Sequence, residues 1–125
     1  MLNIAIIEDN PQYRTAISII MQLNEKFRLI HKLENCDEMI GRFEVDKPDV
    51  VLMDINMPLI NGFETTRKIR AKGITIPIIA LTAFDQQEIT EEAFSSGMND
   101  IIVKPFEPAK LFQVISNQIH KKNVD

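Results

Sequence analysis

The chain has 125 residues, 45% of them hydrophobic and 26% charged, the size and composition of one globular domain around a single core. Fourteen basic against eighteen acidic side chains leave a net charge of -4, and no basic stripe exists beyond the Lys121-Lys122 pair, which argues against direct nucleic-acid binding. Short apolar runs, an N-terminus without a basic leader and the lone Cys36 point to a soluble, cytoplasmic chain with no membrane contact and no internal disulfide.

In chain order, a strand is expected over Asn3 to Ile7, then a helix of about a dozen residues opened by the cap-and-proline pair Asn10-Pro11. Tyr13, Ala16, Ile17 and Ile20 are expected on its inner face. A strand near Arg28 to Leu33 follows, then a helix near Asp37 to Phe43 and the apolar strand Asp49 to Met53. Asn61-x-x-Glu64 has the spacing of a capping box for a helix reaching about Ala71. Pro77 to Leu81 reads as a strand, and Asp85-x-x-Glu88 as the box for a helix ending near Gly97. Asp100 to Val103 and a helix from Pro108 to about His120 close the chain. Met39, Phe43, Met53 and Phe94 have the spacing of core residues.

Five strand-helix units whose strands are continuously apolar predict an open parallel sheet covered on both faces. The fold class is α/β: a doubly wound, five-stranded parallel sheet of order 2-1-3-4-5, a flavodoxin-like (βα)5 three-layer sandwich. Residues 1–125 are expected to form a single domain.

The polar residues fall at strand ends. Glu8 and Asp9 follow the first strand, Asp54 the third, Thr82 the fourth and Lys104 the fifth. In a parallel sheet all these ends share one edge, and in this order the first and third strands are neighbours, so Glu8, Asp9 and Asp54 meet. Three gathered carboxylates raise one another's pKa unless a cation neutralises them, and all-oxygen ligands suit Mg2+. Lys104 and Thr82 add a fixed positive charge and a hydroxyl able to hold phosphoryl oxygens while a carboxylate attacks phosphorus. Each residue taken alone has a plainer role. Glu8-Asp9 suits a helix-start acidic pair, Asp54 a loop cap, Thr82 a strand-end cap, and lysine is commonly solvated. Asn56 and Pro58 suit a turn. It is the combination that points to chemistry.

The motifs I-I-E-D-N-P, V-V-L-M-D-I-N-M-P-L-I-N-G, P-I-I-A-L-T-A and G-M-N-D-I-I-V-K-P-F stand in the order and spacing of a known family. Across essentially the whole chain the sequence resembles the receiver, or phospho-acceptor, domain of two-component response regulators and hybrid histidine kinases. The resemblance implies that Asp54 accepts a phosphoryl group, becoming a 4-aspartylphosphate, from the phosphohistidine of a sensor histidine kinase or histidine phosphotransfer domain. It implies Mg2+ or Mn2+ bound by Asp9, Asp54 and the backbone carbonyl of Asn56, with Glu8 acting through water. Thr82 and Lys104 would bind the phosphoryl oxygens, Thr82 as the switch, with Pro105 after a cis peptide bond. The resemblance extends both to free-standing regulators and to receivers fused to a kinase or output domain, which would lie outside this chain.

Two features depart from that family. Ile101 stands where an aromatic ring usually moves with the switch hydroxyl, and the last two units lack the alternating charges through which one DNA-binding subfamily dimerises. Rival readings fit less well. A haloacid-dehalogenase-type enzyme has a second acid two residues after its nucleophile, where this chain has Asn56. A flavin binder needs a phosphate loop where Glu8-Asp9 would repel phosphate. A scaffolding pseudo-receiver loses acidic residues or the lysine, all of which are present here.

Overall fold

Alternation along the inner strands decides the architecture of this computed structural model, which describes residues 2–8, 10–33, 40–42, 45, 47–55, 62–83 and 86–124, the side chains of 32, 33 and 121–124 excepted. The strands are β1 (Leu2–Ile7), β2 (Phe27–Leu33), β3 (Val50–Asp54), β4 (Ile78–Thr82) and β5 (Asp100–Val103), all parallel in the order β2-β1-β3-β4-β5. Successive strand side chains point to opposite faces. Ile4, Ile6, Val50, Leu52, Ile79 and Leu81 therefore enter one core cluster, while Ala5, Ile7, Val51, Met53, Ile78 and Ala80 enter another. Both faces must be apolar because both are covered.

Helices Pro11–Gln22 and Pro108–Val124 cover the first face with Ile17, Met21, Leu111, Val114 and Ile115. Helices Gly62–Ala71 and Gln87–Ser96 cover the second with Phe63, Ile69 and Ala93, and Ile40, in the helical residues 40–42, packs on the same side. Full burial of one such aliphatic or aromatic side chain is worth roughly 1.5–3 kcal/mol. The result is the three-layer, doubly wound sandwich of order 2-1-3-4-5 expected from the pattern.

Local signals explain most boundaries. Asn10 caps the first helix, its side-chain oxygen accepting from the N–H groups of Gln12 and Tyr13 at 2.9 and 3.1 Å, with Pro11 in the first turn where no donor is lost. Gly97 ends the Gln87–Ser96 helix in the left-handed region at φ 111°, a conformation that costs a residue with a Cβ.

Several expectations are corrected. β3 includes Asp54 and β4 includes Thr82, because ladder pairing runs one residue past the apolar run, Asp54 opposite Leu81 and Thr82 opposite Val103. The helix expected to be capped by Asp85 has Gln86 as its N-cap, with no side-chain cap hydrogen bond. That places Glu88 one position too early to close a capping box. Asp85 itself, like Cys36, Met39, Phe43, Asn61 and Phe84, lies outside the described residues. Ala16 is exposed and Met21 is buried instead, since the helix turns its 17 and 21 positions inward. Phe94, expected in the core, is 49% exposed because Ala93 takes the inward position beside it. The last helix continues past His120 to Val124.

Candidate functional site

At the carboxyl edge of the sheet, the register carries the chain from geometry to chemistry. β1 and β3 pair as far as Ile7 opposite Met53, so Glu8 and Asp54 are the next residues of two neighbouring strands. β5 lies two strands away from β3, and its exit is held to the edge by the Lys104 N–H, which donates to the Thr82 carbonyl at 2.7 Å. The following Lys104–Pro105 peptide is cis. The Lys104 side chain reaches back across β4 and β3, placing Nζ 3.0 Å from Glu8 Oε1 and 3.5 Å from Asp54 Oδ2.

These groups are withdrawn from water. Glu8 and Thr82 are 0% exposed, Asp54 is 4%, and the Lys104 side chain is 17%. Burial, reinforced by the neighbouring Asp54 carboxyl, pushes Glu8 up to about 8, with Lys104 pulling the other way. With both acids ionised, the single ammonium of Lys104 would leave one carboxylate charge unbalanced, and Glu8 Oε2 is buried with no hydrogen-bond partner. An orphaned buried carboxylate oxygen beside a second carboxylate is a donor set for a hard divalent cation such as Mg2+. Among the described residues no group of three or more His, Cys, Asp or Glu could hold a metal ion; Asp9, Asn56 and Pro58 lie outside those residues.

The structure thus brings together Glu8, Asp54 and Lys104 directly, and sets Thr82 on the same edge through its backbone. Ile101, opposite Ala80 in the ladder, is half-buried and packs against the second core cluster.

Two residues of the site were not picked out as such from the sequence. Tyr13, assigned only to the inner face of its helix, places its ring under the Lys104 ammonium, 4.0 Å from Nζ to the ring centroid. Burial, then Glu8 and Asp54, push its phenol up to about 12. Arg14 donates from Nη1 to the Glu8 carbonyl at 2.7 Å, tying the end of β1 to the helix. A signal was present. The cap at Asn10 puts both residues in the first turn after β1, the turn that overhangs the carboxyl edge.

Residues 4–116 match the model of the response regulator receiver domain. The chemotaxis protein CheY of Listeria monocytogenes is 32% identical over 115 residues, 92% of this chain and 96% of that protein. The nitrate/nitrite response regulator protein NarL of Escherichia coli is 28% identical over 112 residues, 90% of this chain but only 52% of that protein. Among solved structures, the receiver domain of the sensor histidine kinase PA1611 from Pseudomonas aeruginosa, with a magnesium ion coordinated in its active-site cleft, superposes with a TM-score of 0.83 at 33% identity, covering 95% of this chain and 98% of that one. The match spans both clusters of the core and every strand that carries the site, and the chain belongs to the family of response regulator receiver domains of two-component signalling.

Proposed function

We propose that Asp54 is the phosphoacceptor of a phosphorelay, taking its phosphoryl group from the phosphohistidine of a histidine kinase or a histidine phosphotransfer domain in a Mg2+-dependent step. The observation that supports this most is the Lys104 ammonium held between Glu8 and Asp54 at the carboxyl edge. In the transfer an Asp54 carboxylate oxygen forms a bond to phosphorus while the P–N bond to the donor imidazole breaks, its electron pair returning to the nitrogen. Lys104 neutralises charge on the transferring oxygens, and Thr82 offers its hydroxyl to one of them. Glu8 and Asp54, with Asp9 and the Asn56 carbonyl from the resemblance, would hold Mg2+ (or Mn2+), which supplies charge neutralisation to the phosphoryl oxygens when bound. The PA1611 receiver domain, with magnesium in its cleft, supports that assignment.

On this reading the chain is a switch and not a turnover enzyme: it catalyses only its own phosphorylation and slow dephosphorylation. Thr82 would move toward the phosphoryl group and alter the neighbouring surface for a partner. The chain matches 96% of the length of a CheY but only 52% of NarL and 36% of a protein-glutamate methylesterase, so it would act either free-standing or joined to a kinase or output domain outside this chain. It would act in the cytoplasm, without a membrane or nucleic-acid contact of its own. No helix among the described residues is long and apolar enough to cross a membrane.

Intact-mass measurement with a small acyl phosphate and Mg2+ tests the acceptor. The expected result is a single phosphoryl adduct that is hydroxylamine-sensitive, absent with chelator and absent in Asp54→Asn. An adduct that survives in Asp54→Asn would place the acceptor elsewhere.

A further inference from the structure

Lysine is a flexible, strongly hydrated cation, and fixing its four-carbon stem loses side-chain entropy that its contacts must offset. Here Nζ has three such contacts: Glu8 Oε1, Asp54 Oδ2 and the face of the Tyr13 ring. They differ in kind. The two carboxylates attract Lys104 through charge, and that attraction weakens when a divalent cation or a new phosphoester bond takes up the same charge. The ring attracts through its quadrupole, which neither event removes.

Tyr13 is also fixed independently of the acids. Its N–H donates to the Asn10 side chain, and its ring meets Phe106 edge-on, with centroids 6.3 Å apart and planes at 79°. Phe106 lies two residues beyond Lys104, so the segment that delivers the ammonium also buttresses the ring beneath it. Both rings pack against the first core cluster. A phenol is uncharged at neutral pH, so the contact is one of cation and ring face, not an ion pair.

We propose that Tyr13 is a positioning residue for Lys104, a ring platform that keeps the ammonium at the phosphoryl site once the metal ion and the phosphoryl group have taken up the charge of Glu8 and Asp54. This inference rests on the assignment of Asp54 as phosphoacceptor. It gives Tyr13 a role in the rate of transfer without contact with the phosphoryl group itself.

The test compares whole-chain wild type, Tyr13→Phe and Tyr13→Leu. The readouts are the initial rate of labelling by acetyl phosphate at saturating Mg2+, Mg2+ affinity by NMR titration, and the proton shift of the Lys104 ε-methylene. The ring current moves that methylene upfield in wild type and in Tyr13→Phe, and the shift is lost in Tyr13→Leu. Labelling of Tyr13→Leu is expected to slow about 3- to 10-fold, the range of one partly buried cation–π contact, with Tyr13→Phe within about 2-fold of wild type. Mg2+ affinity stays within about 2-fold in both, whereas general loosening of the site would weaken it as well. Labelling of Tyr13→Leu at the wild-type rate overturns the proposal, as does Tyr13→Phe slowed to the level of Tyr13→Leu. If Tyr13→Leu does not fold, an ε-methylene without an upfield shift in wild type overturns it just as well. Failure of wild-type Asp54 to label overturns the acceptor assignment, and this proposal with it; normal wild-type labelling with an indifferent Tyr13 overturns this proposal alone.

Discussion

The Lys104 ammonium lies 3.0 Å from Glu8 Oε1, although the two residues are 96 positions apart and leave strands that do not pair with each other. The contact spans the sheet edge from β1 to β5 and passes over Asp54 on the way. A lysine placed like this keeps two buried acids from being left without a counter-charge.

Replacing Lys104 by Gln removes the charge and leaves a polar side chain one atom shorter. Labelling by an acyl phosphate at saturating Mg2+ is expected to fall by roughly 10²–10³, the usual loss for one preorganised stabilising group. Mg2+ affinity is expected to rise, because the ion no longer faces a neighbouring ammonium. Unchanged labelling would remove Lys104 from the transfer step.

Glu8 gives the metal-free protein a pH dependence whose sign follows from the direction of its shift. Its folded value, about 8, lies above the reference value of 4.5, so between these limits the folded chain holds a proton that the unfolded chain has released. The stabilisation is complete below about 4.5 and is lost as pH rises through about 8. Melts in chelator are expected to show stability falling over this window by an amount on the order of a few kcal/mol, at about 1.4 kcal/mol per unit. Glu8→Gln flattens the slope, and Mg2+ reverses much of the loss by favouring the carboxylate. A metal-free protein that grows more stable from pH 5 to pH 8 would contradict the burial of Glu8 as a cause.

The opposite edge is held by Arg70, whose guanidinium donates to the carbonyls of Gly97, Ile74 and Ile76 and to Asn99 Oδ1 at 2.8 to 3.0 Å. Asn99 Oδ1 in turn accepts from the Ile78 N–H at 2.9 Å, so one side chain joins a helix end, the start of β4 and the turn before β5. Arg70→Met is expected to cost about 2–4 kcal/mol in urea unfolding, since several partly buried acceptors lose a charged donor together. Gly97→Ala meets the same group: its Cβ would come within 2.8 Å of Arg70 Cγ, at a backbone φ of 111°. A loss of about 1–3 kcal/mol is expected, part of it removed in an Arg70→Ala background where only the backbone strain remains. Strict additivity of the two losses would show that the close approach costs nothing.

The switch is expected to work without an aromatic partner. A phosphoryl analogue at Asp54 offers the Thr82 hydroxyl a charge-assisted hydrogen bond, which does not involve Ile101. Ile101 is stiff at its first torsion in a strand and already packed against the core, so it keeps one rotamer in both states. Free and analogue-bound structures are expected to differ at the Thr82 hydroxyl and along the Ala83 to Gln87 backbone. A still Thr82, or a rotamer change at Ile101 as the main difference, would sink this account.

Sequence alone carried the number and order of the strands, because strands covered on both faces must be apolar throughout, and helices between them show their own caps at Asn10 and Gly97. It also carried the gathering of Glu8, Asp54, Thr82 and Lys104 on one edge, since each stands at a strand end and a parallel sheet aligns those ends. Tertiary structure decided what strand position does not encode. That Asp54 and Thr82 are the last ladder residues, not the first loop residues, depends on pairing with neighbours distant in sequence. The helix start at Gln86 has no side-chain cap to announce it, and the exposure of Phe94 follows from Ala93 taking the inward position beside it. The Tyr13 ring beneath Lys104 and the Arg70 clamp depend on the directions of long side chains, which have many rotamers in an isolated segment and one once the surrounding elements have docked.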